Sequence, residues 1–166
     1  PKVFSSTKLP TRAPTQQLQL VTPTTALTFP IGGIPSAISA LPGIGSAGAL
    51  ASKVAATISG FTPSLLPGQS GLLESAPLKT PINVVGPSSV KVRITSTTGD
   101  ATLFFSLVTK SPSGAITQPN GIVAPVKLVK IPKTGTDVIV NLPSTVLDAS
   151  VGDVIAVAIS STDQGY

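Results

Sequence analysis

Histidine, cysteine, methionine and tryptophan are all absent from this 166-residue chain. Without imidazole there is no general base for a serine, and without a thiol there is neither a cysteine nucleophile nor a soft metal ligand. Ser-His-Asp, Cys-His and zinc constellations are thereby excluded within these residues, and no catalytic, cofactor-binding or metal-ligating residue is assigned. The chain is either no enzyme or one module of an enzyme whose chemistry sits elsewhere. Lacking cysteine, it forms no disulfide, so the redox compartment stays open.

Charge is scarce too. Charged residues make up 10% of the chain, against roughly 25% in ordinary soluble domains. No acid precedes Glu74, so Lys2, Lys8, Arg12 and Lys53 stand unopposed and account for most of the net charge of +5. No run of basic residues exists, and aromatics amount to 4%. Nucleic-acid binders cluster Lys and Arg and interleave aromatics, so nucleic acid is not an expected partner. The low charge and the 20 serines and 20 threonines lean toward a secreted or cell-envelope setting. No signal peptide is present, and Pro1 stands where a Met would begin a chain, so the true start is expected upstream.

What is present is a composition for strands and turns. Hydrophobic residues supply 41%, enough for a core, while Val and Thr favour strands and 17 Pro with 15 Gly favour turns. One all-β domain with long loops is expected. Residues 1–16 read as an extended lead-in and 17–166 as the domain. Leu18 to Val21 and Ala26 to Phe29 are short strand candidates. Between Arg12 and Lys53 run 40 uncharged residues. Pro30, Pro35 and Pro42, with five glycines, break the stretch, so a membrane span is not expected. Residues 31–61 read instead as a Pro/Gly-rich apolar insertion that covers the sheet or docks on a partner.

Gly43-Ile44-Gly45-Ser46-Ala47-Gly48 matches G-x-G-x-x-G. A dinucleotide site needs a preceding strand and an acid about 20 residues on. Here Pro42 precedes and the next acid is Glu74, so a glycine-rich turn is the better reading. Ala49 to Ser59, with Leu50, Val54 and Ile58 on one face, is the single short helix expected.

From residue 70 the pattern is β. Val90, Val92 and Ile94 alternate with Lys91 and Arg93. Thr98-Gly99-Asp100 turns the chain into Thr102 to Thr109, and Ser111 to Gly114 is a second turn. Ile122 to Lys130 is strand-like, with Pro125 demoting part of it to an edge or a bulge. Asp137 to Leu142 follows, then the Val151-Gly152-Asp153 turn. Val154 to Ser160 is apolar on both faces and wants cover on both sides.

The order of these segments carries a resemblance. Leu73-Glu74-Ser75-Ala76-Pro77-Leu78 and Ile82-Asn83-Val84-Val85-Gly86-Pro87 open it. Val90 to Ser96, then Gly99-Asp100-Ala101-Thr102-Leu103-Phe104-Phe105-Ser106-Leu107 and Ser111-Pro112-Ser113-Gly114 continue it. Val151-Gly152-Asp153 through Ser160-Ser161-Thr162-Asp163 close it. Residues 70–166 resemble the C-terminal domain of the X-prolyl dipeptidyl-peptidase and cocaine-esterase hydrolase family. That resemblance implies a jelly-roll β-sandwich of galactose-binding-like fold attached to an α/β-hydrolase catalytic domain, in the same or an associated chain, with the catalytic residues in that domain. The family pattern has a basic or His residue in the stretch before the last strand, where this chain has Val151-Gly152-Asp153. In the family the end of the last strand faces the hydrolase domain, which makes Asp163 and Tyr166 candidates for an interdomain interface, beside the commoner reading of a plain surface terminus.

Other candidates reduce to ordinary chemistry. A Ser-Lys dyad would need Lys53 or Lys91 beside a serine. Asp148 and Asp153 flank a turn and could share a cation, though turn hydrogen bonding is the commoner use. With one Tyr and no Trp, sugar stacking is poorly supplied. The expected function is a non-catalytic sandwich that buttresses a serine peptidase or esterase. The alternative is a non-enzymatic cell-envelope module binding protein or carbohydrate.

Overall fold

A computed structural model of the chain describes residues 16–21, 25–29, 36, 65–163 and 165–166. The lead-in up to residue 15, most of the 31–61 stretch, the glycine-rich turn, Lys53 and the expected helix lie outside the described residues. Among the described residues there are seven strands and no helix, as the composition requires. They are β1 (Ser70–Glu74), β2 (Ile82–Ile94), β3 (Ala101–Lys110), β4 (Ile116–Thr117), β5 (Ala124–Leu128), β6 (Thr136–Ala149) and β7 (Val154–Ser160). They form two antiparallel sheets. One runs β1-β7-β3-β4, with β5 also on the free side of β3; the other is the β2-β6 pair.

The sheets stack through their alternating apolar residues. Val90 and Ile94 of β2 and Val140 and Leu142 of β6 meet Phe105 of β3 and Val157 and Ile159 of β7 in one buried cluster. On the opposite faces the polar partners of the alternation stay wet: Lys91, Arg93 and Asp137 are exposed, with Arg93 Nη1 donating to Asp137 Oδ1 at 2.8 Å.

β7 is buried from Ile155 to Ser160, as a strand apolar on both faces must be. Its second face is covered as well. Ala156 and Ala158 join Val108 in a cluster on which Leu65, Leu72 and Ile116 pack. Small alanines let the covering chain approach this face closely. Lys110 Nζ reaches Glu74 Oε1 at 2.8 Å along the β1-β7-β3 surface.

Two strands run further than their alternation suggests. β2 begins at Ile82 rather than near Val90, and β6 continues past Leu142 to Ala149. Pro87 and Pro143 lie inside them. Both fall at a bulge: Gly86 pairs with Thr145 and Ser88 with Leu142, with a register shift between. A bulge suspends the ladder, so a proline there forfeits no inter-strand bond. β5 is an edge strand paired only with β3, and its Pro125 lies opposite Phe104, in keeping with the edge expected from that proline.

The described residues of the segment near 18–29, namely 18–21 and 25–29, add no regular strand. They lace along the free edge of β1 through an isolated bridge, Leu20 with Ser75. Val21 N donates to Glu74 O and Thr28 N to Gly68 O, each at 2.7 Å. Thr25 sits directly on Gly71, where a Cβ would collide with its Cγ2.

Candidate functional site

Three buried serines of this fold work inward. Ser106 Oγ donates to Ile122 O at 3.0 Å and accepts from Gln118 Nε2. Ser75 Oγ accepts from Ile155 N at 3.2 Å. Ser160 Oγ lies 3.0 Å from Gln69 O and 2.6 Å from Thr162 O, sharing its one proton between them. Each ties a loop to a sheet and none is poised as a nucleophile. Lys91, one half of a conceivable Ser-Lys dyad, is an exposed strand residue whose Nζ lies 3.6 Å from Asp137 Oδ2.

The two aspartates flanking the last turn are engaged separately. Asp148 Oδ1 accepts from Asn83 Nδ2 across the β2-β6 pair. Asp153 Oδ2 accepts from Ser150 N at 2.8 Å, while Asp153 N donates back to Ser150 O. This is turn chemistry. No group of three His, Cys, Asp or Glu side chains able to hold a metal occurs among the described residues. Nor is any described helix long and apolar enough to cross a membrane.

The end of β7 is the most organised irregular region. Ser160, Ser161 and Thr162 turn there and gather the upstream chain. Ser161 Oγ donates to Thr28 O at 2.7 Å. Thr162 Oγ1 is 2.7 Å from Gln69 Oε1 and accepts from the buried Ser36 N at 3.0 Å. Asp163 and Tyr166, close in sequence, fall in opposite environments. Asp163 is 3% exposed and its Oδ1 accepts from Gly165 N at 2.9 Å, an Asx turn. Tyr166 N donates to Asp163 O. The turn swings Tyr166 back over the sheet, where its ring lies 5.2 Å from Phe104 at a 40° tilt. Phe104 is buried, whereas Tyr166 remains 73% exposed. The carboxylate thus shapes the turn and the ring offers a surface. Sequence reading named Tyr166 but not its support, Phe104. In the run TLFFSLVT two adjacent aromatics point to opposite faces, and nothing in the sequence tells which one reaches the terminus.

One open depression of about 320 Å³ lies elsewhere, between Gln16 to Val21 and the stretch from Ser75 to Ile82. Its lining offers glutamine side chains and Lys79 and no acid-base pair.

Comparisons with known proteins point to architecture rather than chemistry. A sequence model of the family described as the X-Pro dipeptidyl-peptidase C-terminal non-catalytic domain matches residues 39–166. No curated protein matches the chain. Among solved structures it is similar to an aminopeptidase from a marine sediment archaeon, Thaumarchaeota archaeon, at 16% identity and a TM-score of 0.46 over 58% of this chain. It is also similar to an alpha-amino acid ester hydrolase, at 15% identity and a TM-score of 0.44 over 59% of this chain. The chain spans 19% of the length of each of these two proteins.

Proposed function

Because the chain belongs to the family of X-Pro dipeptidyl-peptidase C-terminal non-catalytic domains, we propose that it is the accessory β-sandwich of a serine peptidase or esterase. In this reading it is a galactose-binding-like jelly roll that packs on an α/β-hydrolase catalytic domain and walls one side of its substrate pocket. The family match over residues 39–166 carries the reading. The sequence adds that no imidazole or thiol is available to activate a hydroxyl. The structure adds that the hydroxyls of Ser75, Ser106 and Ser160 are spent on internal hydrogen bonds, and that Tyr166 presents an exposed ring beyond the end of β7.

The test uses a fluorophosphonate probe with p-nitrophenyl acetate and an Xaa-Pro-p-nitroanilide. The isolated chain is expected to take no label and turn over neither substrate. The native protein that carries it is expected to label at a serine outside these residues. Stoichiometric labelling of a serine within the chain, or a native protein with no labelled serine, overturns the reading.

A further inference from the structure

Seven of the basic residues and all six acids lie after residue 65, and the fold sorts them. β2 ends where β6 begins, Ile94 facing Thr136, and β3 begins where β5 ends, Ala101 facing Leu128. The two short crossings between the sheets, 95–100 and 129–135, therefore lie at one end of the sandwich. Lys91, Arg93, Lys127, Lys130 and Lys133 gather toward that end with Asp100, Asp137 and Asp163, while Lys79 and Lys110 lie toward the other with Glu74, Asp148 and Asp153.

The acids of the basic end are occupied. Asp137 holds Arg93 and Lys91, Asp100 Oδ1 accepts from Lys130 N at 3.1 Å, and Asp163 is buried. Among the described residues the side chains of Lys127, Lys130 and Lys133 make no ion pair. Lys130 also stands at φ 56°, the one non-glycine residue at positive φ among those described. Glycine is the residue such a backbone favours, so a lysine there places charge at a conformational cost, and strain of this kind marks functional loops. Lys127 faces Thr102, two residues from the Phe104–Pro125 pair over which Tyr166 lies. Lys127 and an exposed aromatic thus share one face of the β3-β5 pair, with Lys130 and Lys133 in the crossing that follows, and tyrosine is a favoured interface anchor.

We propose that this basic end, with Tyr166 beside it, docks on an acidic protein surface. Resting on the accessory-domain reading, we assign that surface to the catalytic partner. Charge at such a rim steers association and sets register.

The test measures binding of the 166-residue chain to poly-L-glutamate, to a poly-dT oligonucleotide and to phosphatidylserine vesicles at low salt. Lys130→Gly/Lys133→Ser is compared with Lys79→Ser at the opposite end. The expected result is preference for polyglutamate, about fivefold weaker in the double variant, as for two exposed ion pairs lost together. The difference should vanish near roughly 0.5 M salt, where charges are screened beyond a few Å. Lys130→Gly should not lower the melting temperature, so weaker binding is not misfolding; Lys127→Thr is a second variant expected to weaken binding alone. Absence of polyglutamate binding, equal weakening by Lys79→Ser, or tighter binding of the oligonucleotide or the vesicles overturns the proposal. None of these outcomes bears on serine labelling of the native protein, so the two readings fail separately.

Discussion

Val157 offers the sharpest test of the sandwich. It is 4% exposed at the middle of β7, registered between Leu73 of β1 and Leu107 of β3, and it faces the β2-β6 pair across the core. Val157→Ala deletes two buried methyl groups. At about 0.8 kcal/mol per group, plus a cavity that five packed strands cannot collapse, the loss is about 2–3 kcal/mol. For a chain of this length each kcal/mol lowers the midpoint by about 2–4 °C, so the variant should melt about 5–10 °C lower. Val157→Asp places a carboxylate among Val90, Phe105, Val140 and Ile159 in the apolar core, a change costing several kcal/mol, and should abolish soluble folded protein. Val146→Asp is the control. Val146 lies on the outward face of β6 opposite Val85, and is 67% exposed. It should cost about 1 kcal/mol or less. Thermal melting followed by far-UV circular dichroism measures all three. Wild-type-like melting of Val157→Asp, or equal loss from Val146→Asp, would refute the assignment of inner and outer faces.

Two further perturbations test the lacing of the edge and the charge on the outer face. Gly71→Ala should push Thr25 off β1 and loosen the bonds of Val21 and Thr28, costing about 2 kcal/mol for two backbone hydrogen bonds and opening residues 16–29 to limited proteolysis; an unchanged digestion pattern would show that Thr25 is not seated there. Asp137 is held below its ordinary value of 3.8, chiefly by the hydrogen bond from Arg93 and less by the charge of Lys91. A carboxyl lowered on folding stabilises above its unfolded value and loses that contribution as pH falls through its folded one. Asp137→Asn should therefore flatten the acid limb of stability below about pH 4 while changing little at neutral pH, because the pair is exposed and screened; a large neutral-pH loss that persists in high salt would contradict this.

Much of the fold was legible because alternation is a local signal. Val90, Val92 and Ile94 against Lys91 and Arg93 fix which face is wet before any partner is known. The doubly apolar β7 announced that both its faces would be covered, and Gly99, Gly114 and Gly152, all at positive φ, mark the three turns expected from the sequence. The extents of β2 and β6 were not legible. Pro87 and Pro143 each argue for an interruption when read alone, and only their meeting across one bulge makes both harmless. The segment near 18–29 failed in the opposite sense: its apolar residues suggested strands, but the free edge of β1 receives it through one bridge and a few bonds.

Residue types alone establish that the chain cannot house a histidine- or cysteine-based active site, that it builds strands and turns, and that its basic residues outnumber its acids. Those are properties of residue type and of periodicity along the chain. Tertiary structure alone decided that Asp163 is buried while Tyr166 is exposed, because a turn held by one side-chain oxygen sends them to opposite environments. It also decided that Lys91, Lys127, Lys130 and Lys133 converge on one end while Lys110 lies at the other, because sheet register brings distant residues level with one another. Such proximity is set by which strands pair, and pairing is settled by packing of the whole sandwich rather than by any local run of residues.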